Sequence, residues 1–133
     1  MERLKQLTEQ LINLKDITED SVNGLREYKV KQGNAFATAL KHNREVAVAQ
    51  AFMSAGTIFP YHVHENATEV LVVYSGKVTI VTDESRSVLT VGDSIHICAG
   101  CGHTLHAITD TKVIAITIPP DADALPKMKN YAK

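Results

Sequence analysis

The chain has 133 residues, with 14 lysines and arginines against 15 acids and a formal net charge of -1. That length suits one domain able to bury most of its apolar surface unaided. No basic block, apolar membrane-length run or signal-peptide core is present, and two cysteines make no disulfide framework. The expectation is therefore a cytoplasmic protein that binds neither nucleic acid nor membrane.

Leu4, Leu7, Leu11 and Leu14 repeat at three and four with Ile12 beside them, which predicts an amphipathic helix over residues 2–15. Two heptads are too few to specify a coiled coil, so packing on the chain's own sheets or a partner's is the simpler reading. Thr18 to Asn23, closed by Gly24, reads as one helical turn with a glycine cap. From residue 26 the period drops to two. Phe36, Thr38 and Leu40 alternate, the polar run Lys41–Arg44 turns the chain, and Val46, Val48, Gln50 and Phe52 return it as a hairpin. Further strands are predicted at 57–63, 69–75, 77–82, 87–91, 94–98, 103–108 and 112–118, the pattern of an all-β sandwich or small barrel. The tail from Pro119 reads as extended.

The chemistry concentrates in Gly56-Thr57-Ile58-Phe59-Pro60-Tyr61-His62-Val63-His64-Glu65-Asn66-Ala67-Thr68-Glu69, with Gly76 closing the run. On a strand, His62 and His64 project from one side with Cα atoms roughly 6.6 Å apart, close enough for two imidazoles to meet at one ion. Glu69 has the opposite parity to His62. The turn-like Glu65-Asn66-Ala67-Thr68 breaks the alternation and lets Glu69 re-enter facing the histidines. Two imidazoles and a carboxylate suit divalent iron and its neighbours.

A second cluster, Gly92-Asp93-Ser94-Ile95-His96-Ile97-Cys98-Ala99-Gly100-Cys101-Gly102-His103, follows an alternating strand. Here the chain resembles the cupin family. The family's first motif, Gly-x5-His-x-His-x4-Glu-x6-Gly, is matched throughout Gly56–Gly76. Its second, Gly-x5-Pro-x-Gly-x2-His-x3-Asn, is matched at Gly92, Gly100 and His103, with Cys98 in place of the proline and Ala107 in place of the asparagine. The motifs span Gly56 to Ala107, and flanking strands extend the resemblance to about residues 25–118.

The resemblance implies a double-stranded β-helix, a jelly-roll barrel with His62, His64, Glu69 and His103 as ligands of one divalent transition metal inside it. The organisation expected is an N-terminal helix over 1–17, a cupin barrel over 18–120 and a tail over 121–133. Iron, manganese, nickel, zinc, cobalt and copper all suit such ligands. Four protein ligands leave two octahedral positions, so a small-molecule metalloenzyme of dioxygenase type is the leading functional expectation. A metal-dependent isomerase, lyase or decarboxylase, and a non-catalytic small-ligand or metal-binding sensor, are the alternatives. No catalytic residue beyond the ligands is assigned. Oxalate-type substrates are disfavoured because neither motif holds an arginine, although Arg26, Arg44 or Arg86 could reach in from neighbouring strands.

Parity places other residues. His106 faces away from His103, His96 opposes Ile95 and Ile97, Tyr74 opposes Glu69, and His42 falls in a turn. Tyr61 could offer a hydroxyl to the pocket. Val70, Val72 and Tyr74 would then face outward although apolar, as would part of 113–118, so this wall needs cover and a homodimer is expected. Cys98 and Cys101 form a Cys-x-x-Cys, which can be a redox pair or half a zinc site. With no second Cys/His pair at zinc-knuckle spacing, plain loop cysteines are the simpler reading.

Overall fold

The computed structural model describes residues 25–28, 30 and 32–119. The helix expected over 2–15, the turn at 18–24 and the tail beyond 119 lie outside those residues. Ten strands follow one another: β1 (Leu25–Tyr28), β2 (Ala35–His42), β3 (Ala47–Met53), β4 (Ile58–His62), β5 (Thr68–Ser75), β6 (Lys77–Thr82), β7 (Arg86–Thr90), β8 (Ser94–Ile97), β9 (His103–Ala107) and β10 (Thr111–Ile118). They form a six-stranded sheet, β1-β2-β3-β10-β5-β8, and a four-stranded sheet, β4-β9-β6-β7. Every strand pair is antiparallel. From β3 onward the chain passes repeatedly between the sheets, the connectivity of a jelly roll.

The hairpin expected between residues 36 and 52 is β2 and β3, with Phe36 opposite Phe52 and Thr38 opposite Gln50. Its turn lies later than the polar run suggested. A register shift between Ala39 and Lys41 carries β2 on to His42, which pairs with Ala47. The reversal is built by Asn43, whose side-chain oxygen accepts the Glu45 and Val46 backbone N–H groups. This is an Asx turn, which needs Asn43 alone and leaves Lys41 and His42 free to continue the ladder.

Alternation decides the core. Ala35, Ala37, Met53, Leu71, Val73, Ile97 and Val113 point inward from the six-stranded sheet and meet Phe59, Val78, Ile80, Leu89, Leu105 and Ala107 from the four-stranded one. The opposite face of the larger sheet is apolar too. Phe36 and Phe52 are buried there, and the Gln50 amide donates to the Tyr74 hydroxyl. Gly76 joins β5 to β6 with φ +88, and a Cβ there would collide with the Asp110 carbonyl. Only glycine satisfies both conditions.

Candidate metal centre

Each of the four expected ligands arrives by a different device. His62 ends β4 and stands directly opposite His103, the first residue of β9. A register shift between Phe59 and His62 puts both on the inner face despite their three-residue spacing. Pro60 lies inside that bulge, where a residue without an N–H is tolerated. Its carbonyl lies 2.9 Å from His62 Nδ1. A carbonyl can only accept, so Nδ1 carries the proton and Nε2 keeps the lone pair for an ion.

His64 lies beyond β4, and its carbonyl accepts the Gly100 N–H at 2.9 Å. The bend at Glu65 and Asn66 follows. Glu69 then enters from β5 in the other sheet, inward with Leu71 and Val73 as parity required. The site is thus a seam, with two histidines from one sheet, a carboxylate from the other and one histidine from the connection.

All four side chains are buried, and one donor atom from each lies within 4.8 Å of the others. His103 Nε2 is 3.0 Å from Glu69 Oε1, and His64 Nε2 is 3.5 Å from Glu69 Oε2. The His62 and His103 ring centroids are 4.1 Å apart. Donors adjacent around an ion, each at about 2.1 Å from it, stand about 3 Å apart. The Glu69 contacts match that spacing. Neither nitrogen of buried His64 has a hydrogen-bond partner, a costly arrangement that coordination would relieve at one of them. Donor chemistry, spacing and the orphaned imidazole all fit a divalent transition metal.

The electrostatics prepare the same state. His62 is pushed down from 6.5 to about 4, chiefly by burial and then by the neighbouring His103. It is therefore neutral, as a ligand must be, at any pH near 7. Burial alone would raise the Glu69 carboxyl, but the hydrogen bond with His103 and the charges of His64, His103 and His62 together hold it below its ordinary value.

A support that sequence reasoning missed sits behind His103. Asp83 donates its N–H to the Gly102 carbonyl at 3.0 Å and accepts the Gly102 N–H on Oδ2 at 2.9 Å. Tyr61 OH donates to Asp83 Oδ1 at 2.9 Å. Tyr61 therefore braces the clamp rather than offering its hydroxyl to the pocket, and a Cβ on Gly102 would run into its ring. No local pattern marks Asp83, which lies 19 residues from its partner. Pro60 carried a signal, since a proline inside a strand points to a bulge.

His106, His96 and Tyr74 fall where parity put them. His106 is exposed between Ile58 and Thr79, and His96 is exposed opposite Val70. Tyr74 lies on the outer face beside Gln50. Arg44 and Arg86 are exposed, and the side chain of Arg26 is outside the description.

A two-sheet jelly roll enclosing three histidines and a glutamate is the architecture of a cupin barrel. The family model described as "Cupin domain" matches residues 51–119, and the chain belongs to that family. No curated protein matches the sequence. Among solved structures, an RmlC-like cupin from Shewanella frigidimarina superposes with TM-score 0.67 at 22% identity, covering 80% of this chain and 96% of its own. A predicted oxalate decarboxylase from Thermotoga maritima gives 0.67 at 17%, covering 78% and 99%. KdgF from Halomonas sp. gives 0.66 at 19%, covering 74% and 91%. At these identities the likeness is one of fold. Among the described residues, no helix is long and apolar enough to cross a membrane.

Proposed function

We propose that the chain holds one divalent transition metal through His62, His64, Glu69 and His103, and acts on a small molecule as a metalloenzyme of dioxygenase type. The observation that carries the metal reading is the buried four-donor cluster, drawn from both sheets, in which neither His64 nitrogen makes a hydrogen bond. Within it, Glu69 balances the ion's charge. The bulge at Pro60 aims His62, and the Cys101 carbonyl, 3.4 Å from His103 Nδ1, aims His103. Phe59, Leu71 and Leu105, the next inward residues along the strands from His62, Glu69 and His103, make a water-excluding wall.

The reaction class is argued from the rest of the interior. Among the described residues the four ligands are the only buried ionisable side chains. No other buried acid or base among the described residues stands beside the cluster for proton transfer, which counts against isomerase, lyase and decarboxylase chemistry. A bound ion of the iron group would supply Lewis-acid polarisation and a place for dioxygen beside a bidentate substrate. Described residues that bury no ionisable group besides those four also suit capture of a small ligand without turnover, which is the second reading.

Elemental analysis of protein purified without a metal-affinity tag should find about one transition-metal ion per chain. His62→Ala/His64→Ala should abolish loading, and stoichiometric binding by that variant would refute the ligand set. Oxygen uptake with catechols, flavonols, diketones or thiols separates the two functional readings. Consumption by the loaded protein alone supports the enzyme, while tight binding without consumption supports the sensor. The same proposal includes a homodimer, supported by the half-buried apolar outer faces of β5 and β10. A monomer in sedimentation at high micromolar concentration would remove it.

A further inference from the structure

The turn between β8 and β9 carries two free thiols, Cys98 exposed and Cys101 half-buried. The Cys101 N–H donates to the Cys98 carbonyl at 3.1 Å, closing a four-residue reversal. Gly100 stands third in it with φ +83, the conformation a type II turn requires there. In such a turn the first and fourth Cα atoms lie within about 7 Å, and disulfides span Cα separations of about 4.4–6.8 Å. The turn therefore brings the two Cα atoms to a separation that overlaps the range a disulfide spans.

The turn also touches the metal centre twice. The Gly100 N–H donates to the carbonyl of His64. The Cys101 carbonyl faces His103 Nδ1, and the next residue, Gly102, is clamped by Asp83. One end of the turn is thus anchored beside a ligand while the other, at Cys98, lies in solvent.

We propose that Cys98 and Cys101 form a dithiol–disulfide site that exchanges with low-molecular-weight disulfides, and that closing it tightens metal binding. The second half rests on the metal reading above. The exposed Cys98 sulfur attacks one sulfur of the small disulfide, forming a mixed disulfide and releasing one thiol. Cys101 then attacks Cys98 Sγ, and the second small thiol departs. Both protein thiols surrender their protons to the two leaving thiolates, and two electrons pass to the small disulfide. Closure removes open conformations of the turn and leaves the observed one, so less ordering is required of His64 and His103 when the ion binds.

The full chain, stripped of metal, is equilibrated with oxidised glutathione or with dithiothreitol and then desalted. Intact mass and thiol titration should show an intramolecular disulfide, with both thiols lost and no glutathione retained. Manganese(II) is the affinity probe, because it favours carboxylate and imidazole over thiolate and does not report thiol coordination. The oxidised form should bind it about fivefold more tightly than the reduced form. Cys98→Ser and Cys101→Ser should abolish both ring closure and the oxidant effect. Thiols that stay free, or a glutathione adduct that never resolves, would overturn the site. A closed disulfide with unchanged manganese affinity would overturn the coupling. Absence of binding by manganese(II) and by zinc(II), the latter tested on the disulfide form, would remove the coupling together with the metal reading, while the mass measurement still decides the disulfide.

Discussion

The two sheets use the same alternation for opposite ends. In the four-stranded sheet the inner positions Val78, Ile80, Leu89, Leu105 and Ala107 are buried, while the outward Arg86, Val88, Thr90 and His106 are exposed. That is the ordinary economy of an antiparallel sheet with one wet face. In the six-stranded sheet Leu71, Val73 and Val113 face the barrel, yet the outer face also presents Phe36, Phe52, Val70, Val72, Ile114 and Ile116, all buried or half-buried. The contribution to the candidate metal centre is inverted. The wet-faced sheet brings two histidines in direct register, and the doubly apolar sheet brings a single carboxylate. The candidate ion-binding seam therefore joins a sheet whose register is set by one buried face to a sheet held from both sides, and each should respond differently to perturbation.

The largest expected effect lies on the histidine side. In the metal-free protein His62 is neutral, with its pKa lowered from 6.5 to about 4. Between those values the unfolded chain binds the proton and the folded chain does not, so stability falls as pH drops through that window. A difference of about 2.5 units corresponds to about 3 kcal/mol. Glu69 has the same sign, since its lowered pKa gives stability that is lost as pH falls through its folded value, but it acts only below its ordinary value of 4.5. Urea unfolding of the apo protein from pH 7.5 to 4 should show this loss, and His62→Gln should flatten the curve above about pH 4.5. An unchanged slope in that variant would mean that burial of His62 is not the acid-sensitive element.

On the carboxylate side, Glu69→Gln keeps the shape but removes the charge and one strong acceptor. Metal affinity should drop by about 100-fold, while the apo protein stays folded, because Leu71 and Val73 still fix the inward register of β5. Isothermal titration with manganese(II) or zinc(II) measures the first, and thermal melting of the apo form the second. A variant that binds normally would show the site to be a three-histidine centre confined to one sheet and the connecting segment.

How much of this was legible in the sequence depends on the range of the cause. His62, His64, Glu69 and His103 were readable because parity and two spacing motifs are properties of short segments. The strands from β4 to β10 were readable because alternation and glycine punctuation are local as well. The Pro60 bulge was not foreseen, although it decides that Phe59 and His62 share a face. Strict alternation would have separated them. The Asp83 clamp on Gly102 is a contact between two turns, and its hydrogen bonds carry no period in either. The hairpin reversal was set too early because Lys41 and His42 are polar. Polarity marks solvent, whereas the turn is made by the one side chain able to accept two backbone N–H groups.

The smallest effect tests the contrast between outer faces most directly. Val72 on β5 and Val88 on β7 both point away from the barrel, Val72 flanked by Ile114 and Ser94, Val88 facing Thr79. Val88 is 54% exposed, whereas Val72 is partly covered. Exchanging valine for threonine keeps the shape and strand preference and replaces one methyl by a hydroxyl. At Val88 water receives the hydroxyl, and the change in stability should stay within about 0.5 kcal/mol. At Val72 the hydroxyl enters an apolar neighbourhood, and Val72→Thr should cost about 1 kcal/mol. Chemical denaturation of the two variants at several protein concentrations reads both this difference and its origin. If a second subunit covers the larger sheet, the Val72→Thr penalty grows with protein concentration, because the wild type gains stability from association that the variant loses. A penalty independent of concentration would place the cover within the chain itself, and equal penalties at the two sites would erase the distinction between the sheets.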